Sequence, residues 1–376
     1  VPKFHMLAKI HKTPLKGRPI VGNTNWITTN LSIFLDQRLQ TYLKDNPYIL
    51  TSSKDLISKW KGSTLGENDL LVSLDVESLY TNISVIDTCS MLNEFSFTLS
   101  RIFKMITDYN YFSYNEKLYK QTDGIAMGSN CAVSIANLYM FRYLDAFIAQ
   151  RYSIREYCRY IDDIGFIFDS ATENLDIMFR AVNQLHSGIK FTIVNSKESL
   201  DILDLTFYPD PTTRQLEHKT FQKPMNSYLY IPSFSRHPPA TLSGFIKGEL
   251  HRYRWSNSNP FNEHAIRKLF YERLIARGYS KNYLKSIYNS FDLAVLDSTP
   301  RRPAINPLYD WIIPFPYTGT EKSKALVNFL KTSSHDFLPF PISMIATWQP
   351  AASLGRTLLR SALSKEQVLY ISENLS

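Results

Sequence analysis

Cysteine is scarce in this chain: Cys89, Cys131 and Cys158 are the three among 376 residues. Their wide separation fits neither a disulfide framework nor the paired spacing of a zinc site, so a reduced, intracellular setting is expected. No apolar run is long enough to cross a bilayer and no signal peptide opens the chain, so a membrane is not among the expected partners. Internal repeats and low-complexity tracts are also missing. The first residue is Val1 and not Met, which leads us to expect a piece of a longer product. Positive charge is short in the first 210 residues, where 21 Lys and Arg meet 23 Asp and Glu; residues 211–376 carry 21 against 11. The whole excess of +8 therefore comes from the C-terminal part, as a polyanionic partner would require.

Aromatic residues are abundant, at 14% with 23 Tyr and 23 Phe. Large cores use them, and nucleic-acid channels use their faces to stack bases. Residues 1–20 are basic and broken by Pro2, Pro14, Gly17 and Pro19, which suits an exposed, extended segment. Apolar spacing predicts a helix over 30–44 through Leu31, Phe34, Leu35, Leu39 and Leu43. A buried strand is expected over 70–75. A helix should follow Ser84, capped with Asp87 and burying Val85, Ile86, Cys89 and Leu92. Residues 130–147 read as one long helix after a glycine-bearing loop. Residues 157–160 and 164–168 read as a hairpin with Ile161, Asp162 and Asp163 at its tip. A helix over 172–186, with Leu175, Met178, Phe179, Val182 and Leu185 on one face, precedes strands at 191–194 and 202–207. Beyond Pro209, helices are expected near 261–276 and 322–331.

Two adjacent carboxylates at a hairpin tip repel each other, and folding alone gives no reason for them. A divalent cation relieves the repulsion and gives the pair a use. Nucleotidyl transfer needs two such ions, one at the primer 3′-hydroxyl and one at the triphosphate. Asp75, closing an apolar strand, is the expected third ligand, and the carbonyl of Val76 an additional one. The catalytic set is thus Asp75, Asp162 and Asp163, around two divalent cations. Tyr80, five residues on, is placed to clash with a 2′-hydroxyl and so to select deoxyribonucleotides. Gln121, Gly124 and Gly128 shape the loop before the long helix, with Gln121 near the incoming nucleotide. Lys9, Lys12 and Arg18 supply charge for a triphosphate, and Lys197 is a further candidate.

These residues fall in runs that resemble Penelope-like retroelement reverse transcriptases. The runs are residues 7–12 (LAKIHK), 17–21 (GRPIV), 73–83 (SLDVESLYTNI), 124–128 (GIAMG), 136–140 (ANLYM) and 159–163 (RYIDD). Further similarity lies in residues 191–192, 202–205, 222–224, 228–230 and 235–238. Ala8 stands where that family usually has Pro, and residues 129–132 lack its usual Ser-Pro element, as in a divergent branch. Many members carry a GIY-YIG endonuclease after the thumb; residues 317–320 are read here as a turn and not as part of one.

The resemblance implies an α+β right-hand fold of fingers, RRM-like palm and mostly helical thumb. The expected division is fingers over 1–68, palm over 69–210 with an insertion near 93–118, and thumb with a basic extension over 211–376. It implies RNA-directed DNA synthesis with an RNA template, a DNA primer and dNTPs, Mg2+ dependence, and a nuclear site of action. Lys223, Arg236, His237, Lys247, Arg252 and Arg254 are the expected phosphate contacts, beside Phe234, Tyr253 and Trp255. An RNA-dependent RNA polymerase or a non-catalytic RNA-binding palm are the alternatives. Tyr80 speaks against the first, and the three retained aspartates against the second.

Overall fold

The computed structural model describes residues 1–9, 16–151, 153–291, 310–316 and 343–349, together with Ala325. The chain divides into two units, Val1–Ser227 with Trp255–Ala265, and Tyr228–Arg254 with Ile266–Ser376.

The first unit opens with strands β1 (Phe4–Lys9) and β2 (Lys16–Val21), an antiparallel pair that accounts for the extended, basic opening. Helices α1 (Thr29–Leu43) and α2 (Ser53–Trp60) lead to β3 (Asp69–Val76), and the short α3 (Leu79–Asn82) follows. Next come α4 (Val85–Phe95), α5 (Phe97–Asp108) and a hairpin of β4 (Tyr111–Tyr114) and β5 (Lys117–Lys120). Helix α6 (Ala132–Met140) runs through a π-helical turn, Phe141–Asp145, into α7 (Ala146–Ala149). Strands β6 (Ile154–Tyr160) and β7 (Asp163–Asp169), helix α8 (Leu175–Gln184), and β8 (Phe191–Ser196) complete the central sheet and its cover. Strands β9 (Leu200–Ile202), β10 (Leu205–Pro209) and β11 (Leu216–Thr220) form a separate sheet.

The central sheet has the order β6-β7-β3-β8, antiparallel throughout. Alternation along a strand sends successive side chains to opposite faces. Val72, Leu74 and Val76 of β3, with Ile164, Phe166 and Phe168 of β7, join one core with Leu35, Met91, Ile135, Tyr139 and Met178 from the helices. Leu71 and Ile167 point the other way, to a second core with Leu56, Trp60, Leu200 and Phe207. Both faces are covered, which is why these strands read as nearly unbroken apolar runs. Gly165 belongs to the crowded second face: a Cβ there would stand 2.4 Å from the Ile202 side chain and 3.2 Å from Trp60.

Several expected helices differ in detail. Ser84 caps α4 by accepting the Asp87 N–H at 3.1 Å, yet Ile86 is 81% exposed because Thr88, Met91 and Leu92 form the buried side. Phe34 of α1 is exposed as well, while Leu35 and Leu39 are buried. Helix α8 begins at Leu175 and not at 172, since Asn174 accepts the N–H groups of Asp176 and Ile177. It ends before Leu185, which is exposed. The single strand expected over 202–207 is broken at Leu203, whose φ of 58° turns the chain between β9 and β10.

The second unit holds α11 (Lys281–Asn289) and most of α9 (Pro239–Trp255) and α10 (Pro260–Ala276). Ile246, Leu250 and Tyr253 of α9, Ile266, Phe270 and Leu274 of α10, and Leu284 and Ile287 of α11 form its core. Strands β12 (Asp310–Pro316) and β13 (Ser343–Gln349) pair in parallel. The helix expected over 322–331 and the turn at 317–320 lie outside the described residues, Ala325 excepted.

Candidate active site

The acidic end of the central sheet is assembled by register. Asp75 pairs with Asp163 across β3 and β7, and with Thr192 across β3 and β8. Tyr160 pairs with Asp163, so Ile161 and Asp162 alone form the tip of the β6–β7 hairpin. Ile161 takes a left-handed conformation, φ 57°, to close so short a turn. The turn is tied to β3 by a backbone bond in which the N–H of Val76 donates to the Asp162 carbonyl at 3.2 Å. Two strands and a two-residue turn thus deliver the three expected carboxylates to one place.

Their mutual effect is visible at Asp163, whose acidity is weakened to about 6. Burial is the largest cause, followed by the charges of Asp162 and Asp75; Lys223 opposes them. Hard oxygen donors of this kind match Mg2+ or Mn2+. The donor set therefore fits the divalent ions expected. Among the described residues no group of three or more His, Cys, Asp or Glu side chains is already gathered as a metal site.

Tyr80 sits on α3, two residues after Ser78, whose φ of 53° turns the chain out of β3. Its hydroxyl is held above the ordinary tyrosine range by burial first and then by the charge of Asp162, with Arg18 opposing. Tyr80 is thus half-buried beside the acids, and the exposed Arg18 of β2 lies close enough for its charge to be felt there. The glycine loop makes the same junction from another side. The N–H of Ile125 donates to the Tyr80 carbonyl at 2.7 Å, and that of Val21 to the Met127 carbonyl at 2.9 Å. Gly124, at φ 72°, passes so near α3 that a Cβ would meet Thr81 Cα at 2.8 Å; at Gly128 it would meet the Val21 carbonyl at 2.2 Å. Here both glycines permit backbone to approach backbone.

Gln121 has both ends engaged: its amide nitrogen donates to the Asp123 carbonyl at 2.8 Å, and its oxygen accepts from Asn110 at 2.9 Å. It lines a cavity of about 260 Å³ with Lys104, Asp108, Lys120 and Gly124. The side chain of Lys9 and all of Lys12 lie outside the described residues.

Lys197 is not brought to the site. Thr192 pairs with Asp75, and Lys197 follows five residues later, just past the end of a strand that runs away from the acids, roughly 17 Å along the sheet. Its ammonium donates to the Glu67 carbonyl at 2.9 Å. The lysine at the acidic end of β8 is Lys190, whose carbonyl accepts the Glu77 N–H at 2.8 Å and whose ammonium caps the carbonyls of Asn183 and His186. The strand pairing that reveals it cannot be read from spacing.

Of the expected phosphate contacts, Lys223 lies in the first unit, where its charge acts on Asp163. Arg236, His237, Lys247 and Arg254 are exposed in the second. His237 Nδ1 bonds the Ser235 hydroxyl at 2.7 Å. Arg252 is half-buried and paired with Glu249 at 2.8 Å, and Tyr253 is a fully buried core residue, not a stacking surface.

The sequence profile described as reverse transcriptase (RNA-dependent DNA polymerase) matches residues 10–203. Telomerase from Candida albicans, solved with a TWJ fragment of telomeric RNA, is similar over 77% of this chain and 55% of its own, with 13% identity and a TM-score of 0.51. Telomerase from Candida Tropicalis, also with a TWJ fragment, gives 79% and 55%, 14% identity and 0.43. The RNA-dependent RNA polymerase of BmCPV gives 67% and 24%, 12% identity and 0.40. No curated protein matches by sequence. The chain spans about half the length of the telomerases it resembles, and the likeness to the Candida albicans enzyme shows the right-hand polymerase fold.

Proposed function

Because the chain belongs to the reverse transcriptase (RNA-dependent DNA polymerase) family, we propose that it extends a DNA primer on an RNA template by two-metal nucleotidyl transfer. We further propose that it derives from a Penelope-like retroelement and acts in the nucleus, where such an element inserts. The observation that carries the chemistry is the register of Asp75 with Asp163, beside Asp162.

Asp75, Asp162 and Asp163, with the carbonyl of Val76, would hold two Mg2+ ions. When bound, these supply Lewis-acid activation of the primer hydroxyl and neutralise the leaving pyrophosphate. The half-buried ring of Tyr80 fills the space beside the acids where a ribose 2′-hydroxyl would sit, and so favours dNTPs. Arg18, exposed on β2 near Tyr80, offers a bidentate guanidinium to the triphosphate. The glycine loop holds α3 and β2 together, which sets Tyr80 and Arg18 at a constant separation.

The test is extension of a DNA primer on a defined RNA template by the full chain, with dNTPs or NTPs, in Mg2+ or in EDTA. Extension with dNTPs that EDTA abolishes is expected. Preference for NTPs makes the protein an RNA synthase, and no extension under any condition makes it a binding palm.

A further inference from the structure

A fully buried ion pair lies behind the acidic turn. Arg159 and Asp145 are both 0% exposed. Arg159 Nε donates to Asp145 Oδ1 at 2.8 Å and Nη2 to Asp145 Oδ2 at 2.7 Å. Nη1 donates to Asn137 Oδ1 at 2.8 Å and to the Ile161 carbonyl at 3.0 Å, and Nη2 also donates to the Asn137 carbonyl at 3.1 Å. All five guanidinium N–H groups are therefore used. The Tyr157 hydroxyl donates to Asp145 Oδ1 at 2.8 Å, completing the set.

Such an arrangement needs a reason beyond stability, because a well-packed apolar replacement of a buried ion pair is often as stable or more so. Two features locate the reason. Ile161 holds a left-handed φ of 57°, which a β-branched residue adopts only when its surroundings impose it, and Arg159 grips the carbonyl of that residue. Asp145 is the last residue of the π-helical turn, an irregularity that re-aims helix positions and is frequent near functional sites. The bonded carbonyl belongs to the peptide that leads directly into Asp162.

We propose that Arg159, with Asp145 as its counter-charge, is a positioning residue: by holding the Ile161 carbonyl it sets the direction of Asp162 and Asp163, and so the affinity for divalent ions. The inference rests on the polymerase reading above. The Arg159 guanidinium is fully buried, so it acts through the turn.

The test uses Mn2+ alone, titrated into the full chain and followed by electron paramagnetic resonance of the free ion. Asp162→Ala is the reference for a broken site. If wild type and Asp162→Ala bind Mn2+ alike, the polymerase reading itself fails. Two variants address Arg159. Arg159→Met with Asp145→Leu removes both buried charges together, and Arg159→Lys keeps a cation for Asp145 but cannot fork to the turn. Both are expected to melt close to wild type in EDTA, to bind Mn2+ at least tenfold more weakly, and to need correspondingly more Mg2+ for primer extension. Affinity for the primer–template duplex should stay unchanged. Wild-type Mn2+ affinity in either folded variant overturns the proposal. So does failure of both to fold, which makes the pair a requirement of folding and no more.

Discussion

The two units place their candidate functional side chains by different means. In the first, Asp75, Asp162 and Asp163 are strand and turn residues whose positions follow from pairing register, and a shift of one residue would send each to the other face. In the second, Arg236, Lys247 and Arg254 sit on exposed surface, where a charge moved by one turn would still meet a polyanion bound there. Chemistry at fixed atoms needs the first kind of placement, and a grip on phosphates tolerates the second. Single substitutions should therefore be decisive in one unit and graded in the other.

The sharpest contrast comes from the acids. Changing Asp75, Asp162 or Asp163 to Ala should lower single-nucleotide extension by at least ~10³-fold, about 4 kcal/mol of transition-state stabilisation, with far-ultraviolet dichroism unchanged. Full activity in Asp162→Ala would break the comparison at its base. Next is Tyr80: Tyr80→Val should shift the ratio of dNTP to NTP incorporation by roughly 10–100-fold toward NTPs, measured by steady-state kinetics. An unchanged ratio with normal dNTP use returns Tyr80 to the core.

The second unit should answer more gently. Lys247→Ala with Arg254→Ala should flatten the salt dependence of hybrid binding by about two contacts, so that raising salt from roughly 50 to 200 mM costs about tenfold less affinity than in wild type. Arg252→Ala should change the slope by less than one contact, because its guanidinium is committed to Glu249. Equal slopes in all three proteins would remove the binding surface from this unit.

The smallest effect is on stability. Asp163 titrates near 6 in the fold, above its ordinary value, so its charged form opposes folding. Asp163→Asn should raise the unfolding free energy in EDTA at pH 8 by on the order of 1 kcal/mol for a partly solvated group, read as a higher melting temperature. The gain should shrink as pH falls through 6 and vanish below pH 4, where the carboxyl is protonated folded or unfolded. A gain that persists at pH 4 would mean packing, not charge, is responsible.

Much of the first unit was legible because local patterns and tertiary needs agree there. The apolar run ending in Asp75, the hairpin around Asp162 and the Ser84 cap each carry their signal within a few residues. What escaped depends on partners distant in sequence. Lys190 and Lys197 look equivalent until β8 is paired with β3. Tyr253 resembles a stacking ring until α10 and α11 close over it. Helix α5 and the β4–β5 hairpin were covered only by an expected insertion near 93–118, and the π-helical turn leaves no mark in apolar periodicity.

The path of the chain between units has a practical consequence for anyone who would shorten this protein. Trp255–Ala265 returns to the first unit after an excursion of 27 residues. There the buried Asn257 accepts the Thr220 N–H at 3.1 Å, Ser256 bonds the Thr220 hydroxyl at 2.6 Å, and the Trp255 carbonyl meets His218 at 3.2 Å. Cutting the chain at Ser227 would strip β11 of these partners and leave the buried Thr220 N–H with none. A minimal catalytic piece must therefore keep residues 255–265, by retaining α9 or by splicing a short bridge in its place.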